Sequence, residues 1–583
     1  VTDAASVASD AILNLSGETV ALYSAISNEG TVTIANTTTF ALDNLTSENN
    51  VYTLISGAGT VSGWDTLANT NFTHNSQATI RRLDASYSVL VGSGTLTWAG
   101  TVDNVWNTNV TANWTLSGAN NSVNFFDGDS VIFATAGANV SLANDVSVGT
   151  MTVSQNLTLA GAGTIALSAP GNLIFENAST LALGEGVTLD LGSSNGALDL
   201  SKVEGTGTVV YEHTVNGGGS SGLVTSANFT GTIDYTGNLN WADTYNAGQV
   251  SIGNDGITLR LSSRDGALDG IWGRYEKTFK NRVEFATNYI IYSGDVGVKF
   301  EGDVDATGVA LTLSGTNRFE FAGETTIGTL TQNHGTLTVS GTLATNAYTG
   351  VNLSGGDDST VSVSSGASWT NTGDFYLRHT GNGTTAFTID GNVNVGGTLY
   401  ISRDGKGTIE INDGGVLDVS TLEFGQYWDG VDNKGSRVNV NAGGTLVLDA
   451  ISIGGNLNTS ELKLNGGTLG TSSAELTIDA STTSGAGAGA LPLTLGAGTT
   501  STIHTSVYEN NAFGATGADI TIVNGISGDG ALNVDGAGTL TLSGANTFTG
   551  GLSVSAGILN ASGKVLGAGT VSVASGAILN LSG

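Results

Sequence analysis

The chain has 583 residues, 50 acidic against 18 basic side chains, a formal net charge of −32, and no cysteine. That balance repels phosphate backbones and anionic lipid surfaces, so no nucleic-acid partner is expected. The missing thiols exclude disulfides, thiolate chemistry and Cys-ligated metals. Glycine supplies 87 residues and proline only 2, with hydrophobic residues at 39% and charged residues at 12%. This composition fits many tight turns joined by uninterrupted backbone ladders, and it is the reverse of a disordered chain.

Residues 1–90 read as a β-rich section with irregular turns, opening on SVASDAILNLSG at 6–17 and containing the alternating run TVTIA. Residues 91–240 open with a tryptophan-rich segment, WAGTVDNVWNTNVTANWTLSGANNSVNFFDGDSVIF at 98–133, and continue as short strands such as VSVGTMTVS and LTLAG. Polar and apolar residues alternate there with the period of a strand. Residues 241–300 hold the one dense basic cluster, in which Arg260, Arg264, Arg274, Lys277, Lys280 and Arg282 fall close together. The best helical candidate in the chain, 243–249, has weak periodicity. Residues 301–583 form the most regular array.

Repetition is the main architectural signal. WTLSGAN at 114–120, LTLSGTN at 311–317 and LTLSGAN at 540–546 restate one phrase, and GTL recurs from Gly94, Gly328, Gly335, Gly341, Gly397, Gly444, Gly467 and Gly538. Tyr376 and Tyr400 occupy equivalent places in FYLRHTGNGTTAFTIDG and LYISRDGKGTIEINDGG, and Ile558 and Ile578 do so in SVSAGIL and SVASGAIL. A period of about 20–28 residues built from two or three short strands predicts an all-β, elongated, right-handed parallel β-helix with protruding loops. At about 4.8 Å per coil the whole chain would make a rod on the order of 100 Å long. The closing phrase SVASGAILNLSG at 572–583 nearly repeats the opening one, as expected of a segment cut from a longer array or of two ends built alike. No run of about 18 apolar residues is present, so no membrane insertion by a helix of this segment is expected.

GAGTLTLSGANTFTGGLSVSAGIL, at 536–559, resembles the passenger-associated transport repeat, also called the autotransporter-associated β-strand repeat. Leu542, Ser543, Gly544, Asn546, Thr547, Phe548, Gly550 and Gly551 stand in the places of the repeat's LSG-N-T-[YF]-TGG pattern. The segment 98–133 is similar to one common in large secreted proteins that carry such repeats. The resemblance implies a bacterial surface or secreted passenger folded as a β-helix, acting in adhesion, aggregation or surface coating. Autotransporters end in an amphipathic membrane barrel, and this sequence shows no barrel-like segment, so removal of a barrel or another export route is implied.

Candidate chemistry is sparse. Trp98, Trp106 and Trp114, with Phe125 and Phe126, could form an aromatic platform for sugars or the core of a broad coil. Arg264, Arg274 and Lys277 in the basic cluster could dock an anionic glycan, or could be solvated and paired in a loop. Arg403, Asp404, Lys406, Asp413, Asp418, Asp429, Asp432, Lys434 and Arg437 fall in loops of adjacent coils, where a polysaccharide lyase would gather acids and bases, but Asp-Gly and Asn-Gly turns explain most of these acids. Asp127 with Asp129, and Asp357 with Asp358, are oxygen-ligand pairs that could hold calcium, without the spacing of a known calcium loop. The histidines His74, His213, His334, His379 and His504 are scattered, and no nucleophile, zinc or phosphate-loop motif occurs. No cofactor beyond calcium is expected.

The expectation is therefore a non-enzymatic extracellular protein at the bacterial surface, meeting other copies of itself, glycans or surface proteins through a stiff β-helix. The alternatives are a polysaccharide-active lyase or hydrolase on the same scaffold, and a subunit of an extracellular filament or surface layer.

Overall fold

A computed structural model describes residues 5–17, 19–43, 49–74, 79–83, 86–117, 122–196, 198–214, 223–237, 239–240, 256–263, 270–272, 277–293, 296–350, 358–377, 384–402, 406–425, 435–454, 460–479, 491–562 and 569–582. Nearly all regular structure among them is strand, and the helices there are three short 3₁₀ turns. The helical candidate 243–249 lies outside the described residues. Strands pair in parallel with equivalent strands of the next coil, which makes the fold a parallel β-helix. The chain divides into two units, residues 1–214 with 223–235 and residues 215–222 with 236–583.

In the first unit, a coil runs through Met151–Val153, Leu157–Gly161 and Gly163–Leu167 before the next begins at Leu173–Phe175. Each strand stacks in register on its counterpart, Met151 on Leu173, Leu157 on Leu181 and Gly163 on Val187. Period-two alternation turns one set of side chains inward, so Met151, Val153, Leu157, Leu159 and Ile165 are all buried. Residues before 90 build three short parallel sheets in the same style, with a core of Val32, Phe40, Leu54, Trp64 and Phe72. To these is added an antiparallel sheet in which Ser88–Val91 lies between Ile80–Leu83 and Asn50–Thr53.

The parallel ladder that begins at Thr95–Trp98 is closed on its outer side by antiparallel strands. Trp114–Leu116 pairs with Thr95–Trp98, and Ser122–Val123 pairs with Trp114–Leu116. Covering the first parallel strand in this way removes an edge that would otherwise template further strands. A buried ion pair ties the antiparallel sheet to this region. Arg81 Nη1 donates to Asp129 Oδ2 and Nη2 to Asp129 Oδ1, both at 2.6 Å, with the two side chains 3% and 1% exposed. Arg81 also donates to the carbonyls of Asn124 and Gly92, and Asp129 accepts from the amides of Gly94 and Phe126.

In the second unit one sheet stacks strands that bend round a corner, and an 11-stranded sheet forms another wall. The core is a set of columns one residue wide. Leu343, Trp369, Val393, Leu417, Leu446, Leu469 and Ile503 succeed one another in register, and all are buried. Phe279, Phe300 and Phe321 stack with ring centroids 4.9 and 5.4 Å apart. One buried polar cluster is bonded internally. Trp369 Nε1 donates to Thr345 Oγ1 at 2.9 Å, which bonds Asn371 Oδ1 at 2.7 Å, while Asn371 Nδ2 donates to the Gly373 carbonyl at 2.7 Å. The repeats legible in the sequence are ladder neighbours: Tyr376 pairs with Tyr400, rings 4.4 Å apart and within 3° of parallel, and Ile558 pairs with Ile578.

Glycines mark corners of two kinds. Gly205 has φ +93°, and a Cβ there would stand 2.2 Å from the Leu183 carbonyl oxygen of the coil below, whereas Gly366, at φ +79°, has open space around it. Asn tolerates the left-handed region, so Gly366→Asn is expected to stay within about 1 kcal/mol of the parent. Gly205→Asn is expected to lose more than about 2 kcal/mol through the added collision. Urea denaturation of the two variants checks the contrast. The buried ion pair generates a second prediction: Arg81→Met alone should cost about 3–5 kcal/mol by stranding the Asp129 charge, and Asp129→Leu added to it should recover much of that loss. A double-mutant cycle followed by thermal melting measures it.

Candidate functional site

The tryptophans, read from the sequence as either a sugar platform or the core of a broad coil, lie inside. Trp98 is 4% exposed and Trp106 and Trp114 are 0% exposed. They pack edge to face, with Trp114 4.9 Å from Trp98 and 5.2 Å from Trp106, and Phe125 and Phe133 fill the remaining contacts. Their faces are spent on one another, so they form the plug behind the antiparallel strands and leave no open platform. Phe126 sits nearer the surface, under the Arg81 guanidinium at 5.1 Å.

The basic cluster resolves differently. Arg264 and Arg274 lie outside the described residues. Lys277 is buried, 2% exposed, in the strand Lys277–Phe279, and so is not offered to a ligand in solution. Arg260 and Arg282 are exposed but paired: Arg260 bonds Glu284 of the next coil at 3.1 Å, and Arg282 bonds Glu284 of its own strand at 3.0 Å and Asp305 of the next coil at 2.9 Å. The bond to Glu284 is the main reason the Arg282 guanidinium is held above its ordinary pKa.

The calcium candidates are engaged as turn and ladder acceptors. Asp129 is committed to Arg81, Asp127 accepts from the Ser147 amide at 2.9 Å, and Asp358 accepts from the Thr384 amide at 2.7 Å. Asp357 lies outside the described residues, and no group of three or more His, Asp or Glu side chains among the described residues could hold a metal ion. Of the loop acids and bases, Arg403, Asp404, Asp429, Asp432 and Lys434 also lie outside the described residues. Asp413 occupies a turn beside Gly443, Lys406 opens a strand, and Arg437 pairs in register with Glu461 on a different sheet from Asp418.

The structure draws attention instead to the outer face around the strand Val416–Phe424. Asn394, Asp418, Val447 and Gly470 form one column, each from the next coil. The strands Thr500–Glu509 and Ala512–Gly517 form an antiparallel hairpin whose turn residues Asn510 and Asn511 have φ of +52° and +61°. Such a two-residue turn suits hairpin twist, and asparagine is one of the few side chains that accept it. Phe513 of the hairpin lies over Gly470, where a Cβ would stand 2.3 Å from the ring, and it stacks on His504 with centroids 4.0 Å apart. Val447, beside Gly470 in the column, is fully buried although alternation points it outward.

Titration is perturbed here. Burial pushes the Asp418 carboxyl up, with the Asp449 charge adding to the shift and Asn394, donating at 3.1 Å, opposing it. Burial also raises Glu423, against the Ser452 hydroxyl that donates to it at 3.1 Å, with Asp374 adding a smaller upward push. Tyr508 is raised by burial and by the Asp418 charge, and His504 is lowered by burial against the pull of Asp535. Asp449 is held as an acceptor by Thr471 Oγ1 at 3.0 Å and Ser472 Oγ at 2.8 Å. The Asp418 and Glu423 carboxyls are thereby held above the usual carboxylate range. The sequence signal for the hairpin was the Asn510-Asn511 pair between two aromatic-containing stretches; the partial burial of Asp418 had no local signal.

One matched family model bears on this chain. The model described as Passenger-associated-transport-repeat matches residues 532–561. Residues 532–561 are a passenger-associated transport repeat. The repeat marks a passenger region, and its LSGANTFTGG phrase has a mechanical meaning here. Leu542 and Phe548 point inward and are buried. Asn546 accepts from the Ile526 amide at 2.9 Å and donates to the Gly544 carbonyl at 2.9 Å, so its side chain bonds the coil below as well as its own turn. Thr547 and Thr549 continue the cover by donating their amides to the Ile526 and Gly528 carbonyls. At Gly550 a Cβ would lie 2.3 Å from the Gly530 backbone, so the two coils meet there at backbone contact. Comparison with curated proteins and with solved structures finds no match.

The raised Asp418 predicts a pH-dependent gain. Its folded pKa exceeds its unfolded one, so it favours the fold while protonated and that contribution is lost as pH rises through the folded value. Asp418→Asn should therefore raise the melting temperature at pH 7 and leave it nearly unchanged at about pH 3, where the carboxyl is protonated in both states. Melting curves of the parent and the variant at the two pH values test this.

Proposed function

We propose that this chain is a secreted passenger held at or released from a bacterial surface, where its β-helical coils serve as a stiff scaffold for attachment or self-association. The observation that carries the reading is the passenger-associated repeat at 532–561, seated in ladder register on the coils before it. Several features support it. The parallel ladder needs no disulfide, which suits a chain without cysteine. Outer faces are lined by Thr, Ser, Asn and acids bonded from coil to coil, as in Asn412 to Asp390, Asn441 to Asn412 and Asn465 to Asn441. A surface of that kind is rich in hydrogen-bonding groups at a regular spacing, which suits glycans and other β-helical faces. No helix among the described residues is long and apolar enough to cross a membrane.

A second reading is favoured by one observation, the two raised carboxyls Asp418 and Glu423 on a single strand. A polysaccharide-active enzyme would use carboxyls raised in this way as acids. Cleavage of neutral or acidic polysaccharides that disappears in Asp418→Asn or Glu423→Gln would favour that reading over the scaffold.

The main reading is tested by displaying the chain, fused to an outer-membrane barrel, on a non-adherent bacterium. Displayed cells are expected to settle or to bind glycan- or protein-coated surfaces faster than cells with the barrel alone. Verified display with neither behaviour would overturn it. In the same assay Phe548→Ala is expected to lower stability by about 3–5 kcal/mol and to reduce the amount displayed, as read by surface immunolabelling.

A further inference from the structure

Between the coil that begins at Leu173–Phe175 and the next coil, the ladder is kept on two faces and interrupted on the third. Adjacent coils remain paired where Leu181–Leu183 meets Val203–Gly205 and where Val187–Ser194 meets Thr208–His213. On the remaining face, Leu173–Phe175 pairs with Met151–Val153, and Leu198–Leu200 pairs with Leu223–Thr225, but these two strands belong to separate sheets with no pairing between them. A register shift between Asp190 and Ser193, with Gly192 at φ +65°, accompanies the separation.

The backbone groups turned toward the gap follow from the bonds on the other sides. The Glu176 amide bonds the Val153 carbonyl, so strand alternation turns the N–H and C=O of Phe175 and the C=O of Leu173 toward the gap. The Leu173 amide is taken by Pro170. The Ser226 amide bonds the Leu200 carbonyl, which by the same alternation turns the N–H and C=O of Asp199 toward the gap from the other side. Between the two edges lies a groove of about 380 Å³ lined by Leu173, Phe175, Leu191, Leu198 and Lys202. Leu173 and Phe175 are only half-buried there, whereas Met151 and Val153, at the same positions one coil earlier, are fully buried. On the outer side, Ile174 is 42% exposed and Val224 is 51% exposed.

We propose that this groove is a strand-addition site for an extended segment of a partner protein with apolar side chains at alternate positions. A single extended backbone bonds both edges at once, places alternate side chains against Leu173, Phe175 and Leu198, and sets its outward ones beside Ile174. A compact apolar ligand fills the volume but leaves the backbone groups of both edges without partners. The inference stands on backbone geometry and does not depend on an adhesive role.

The test uses the full chain and a fluorescent synthetic peptide copying residues 149–156, which contains the strand that Leu173–Phe175 is built to pair with on its other edge. The same peptide with proline in place of the residue corresponding to Thr152 is the control, because it lacks a central N–H. Saturable anisotropy change is expected with the first peptide, and binding about tenfold weaker or worse with the second. Two variants of the protein sharpen it. Phe175→Pro removes the N–H facing the gap, and Ile174→Asp alters a side chain outside the core, so an unchanged melting curve for the latter shows that the fold is intact. Both are expected to weaken peptide binding by about tenfold or more. No binding up to about 1 mM, equal binding of the two peptides, or binding unaffected by Ile174→Asp would overturn the proposal. Dimerisation of the chain alone that the peptide competes away would overturn the assignment to a foreign partner.

Discussion

Parallel register between coils is the constraint on which the rest of this structure depends. Within the stacked ladders a strand takes its backbone hydrogen bonds from the coil before and the coil after, so a side chain's environment is set by the residues one coil away. Leu417 is buried because Val393 and Leu446 are its ladder neighbours, and Asp418 faces outward because it is the next residue along. A slip of one residue would exchange those two fates along the strand. The burial gained by each column is ordinary, about 1.5–3 kcal/mol for a Leu or Phe side chain, but the column makes it cooperative, since each ring or branched chain rests on another of like shape.

The features with most chemical character lie where that register is interrupted or overlaid. Antiparallel strands at Trp114–Leu116 and Ser122–Val123 close a ladder edge, and behind them stands the tryptophan plug, tied to the neighbouring sheet by Arg81 and Asp129. The hairpin of Thr500–Glu509 and Ala512–Gly517 covers an outer face, and burial beneath it shifts the titration of Asp418, Tyr508 and His504. The missing pairing between Leu173–Phe175 and Leu198–Leu200 opens the groove. A regular stack offers the same surface at every level, so it is these local departures that can distinguish one partner from another.

A net charge of −32 has to be accommodated on those outer faces. Acids are spaced among neutral hydrogen-bond donors, as Glu410 is between Asn439 and Asn441, or opposite the few cations, as Glu284 is between Arg260 and Arg282. Exposed pairs of this kind contribute little stability individually, so their effect is to fix which face meets solvent. In the deeply buried pair of Arg81 with Asp129, the two carboxylate oxygens are fully engaged by the guanidinium and two backbone amides.

The sequence by itself determined the parallel β-helix, because a coil writes its own period: Tyr376 with Tyr400 and Ile558 with Ile578 are legible as equivalent before any coordinate is known, and they are ladder partners. It determined the repeat, read at 536–559 inside the matched 532–561, since Asn546, Phe548 and Gly550 each answer a local geometric need. Only the tertiary structure decided which side chains are available. Trp98, Trp106 and Trp114 read as core or as platform, because alternation tells which residues share a face but not whether another strand lies over it. Lys277 in a cluster of cations reads as solvated until its strand is seen to be buried. The perturbed Asp418 and the unpaired edges at Phe175 and Asp199 depend on contacts and gaps between coils, which are distances in space that a period along the chain does not encode.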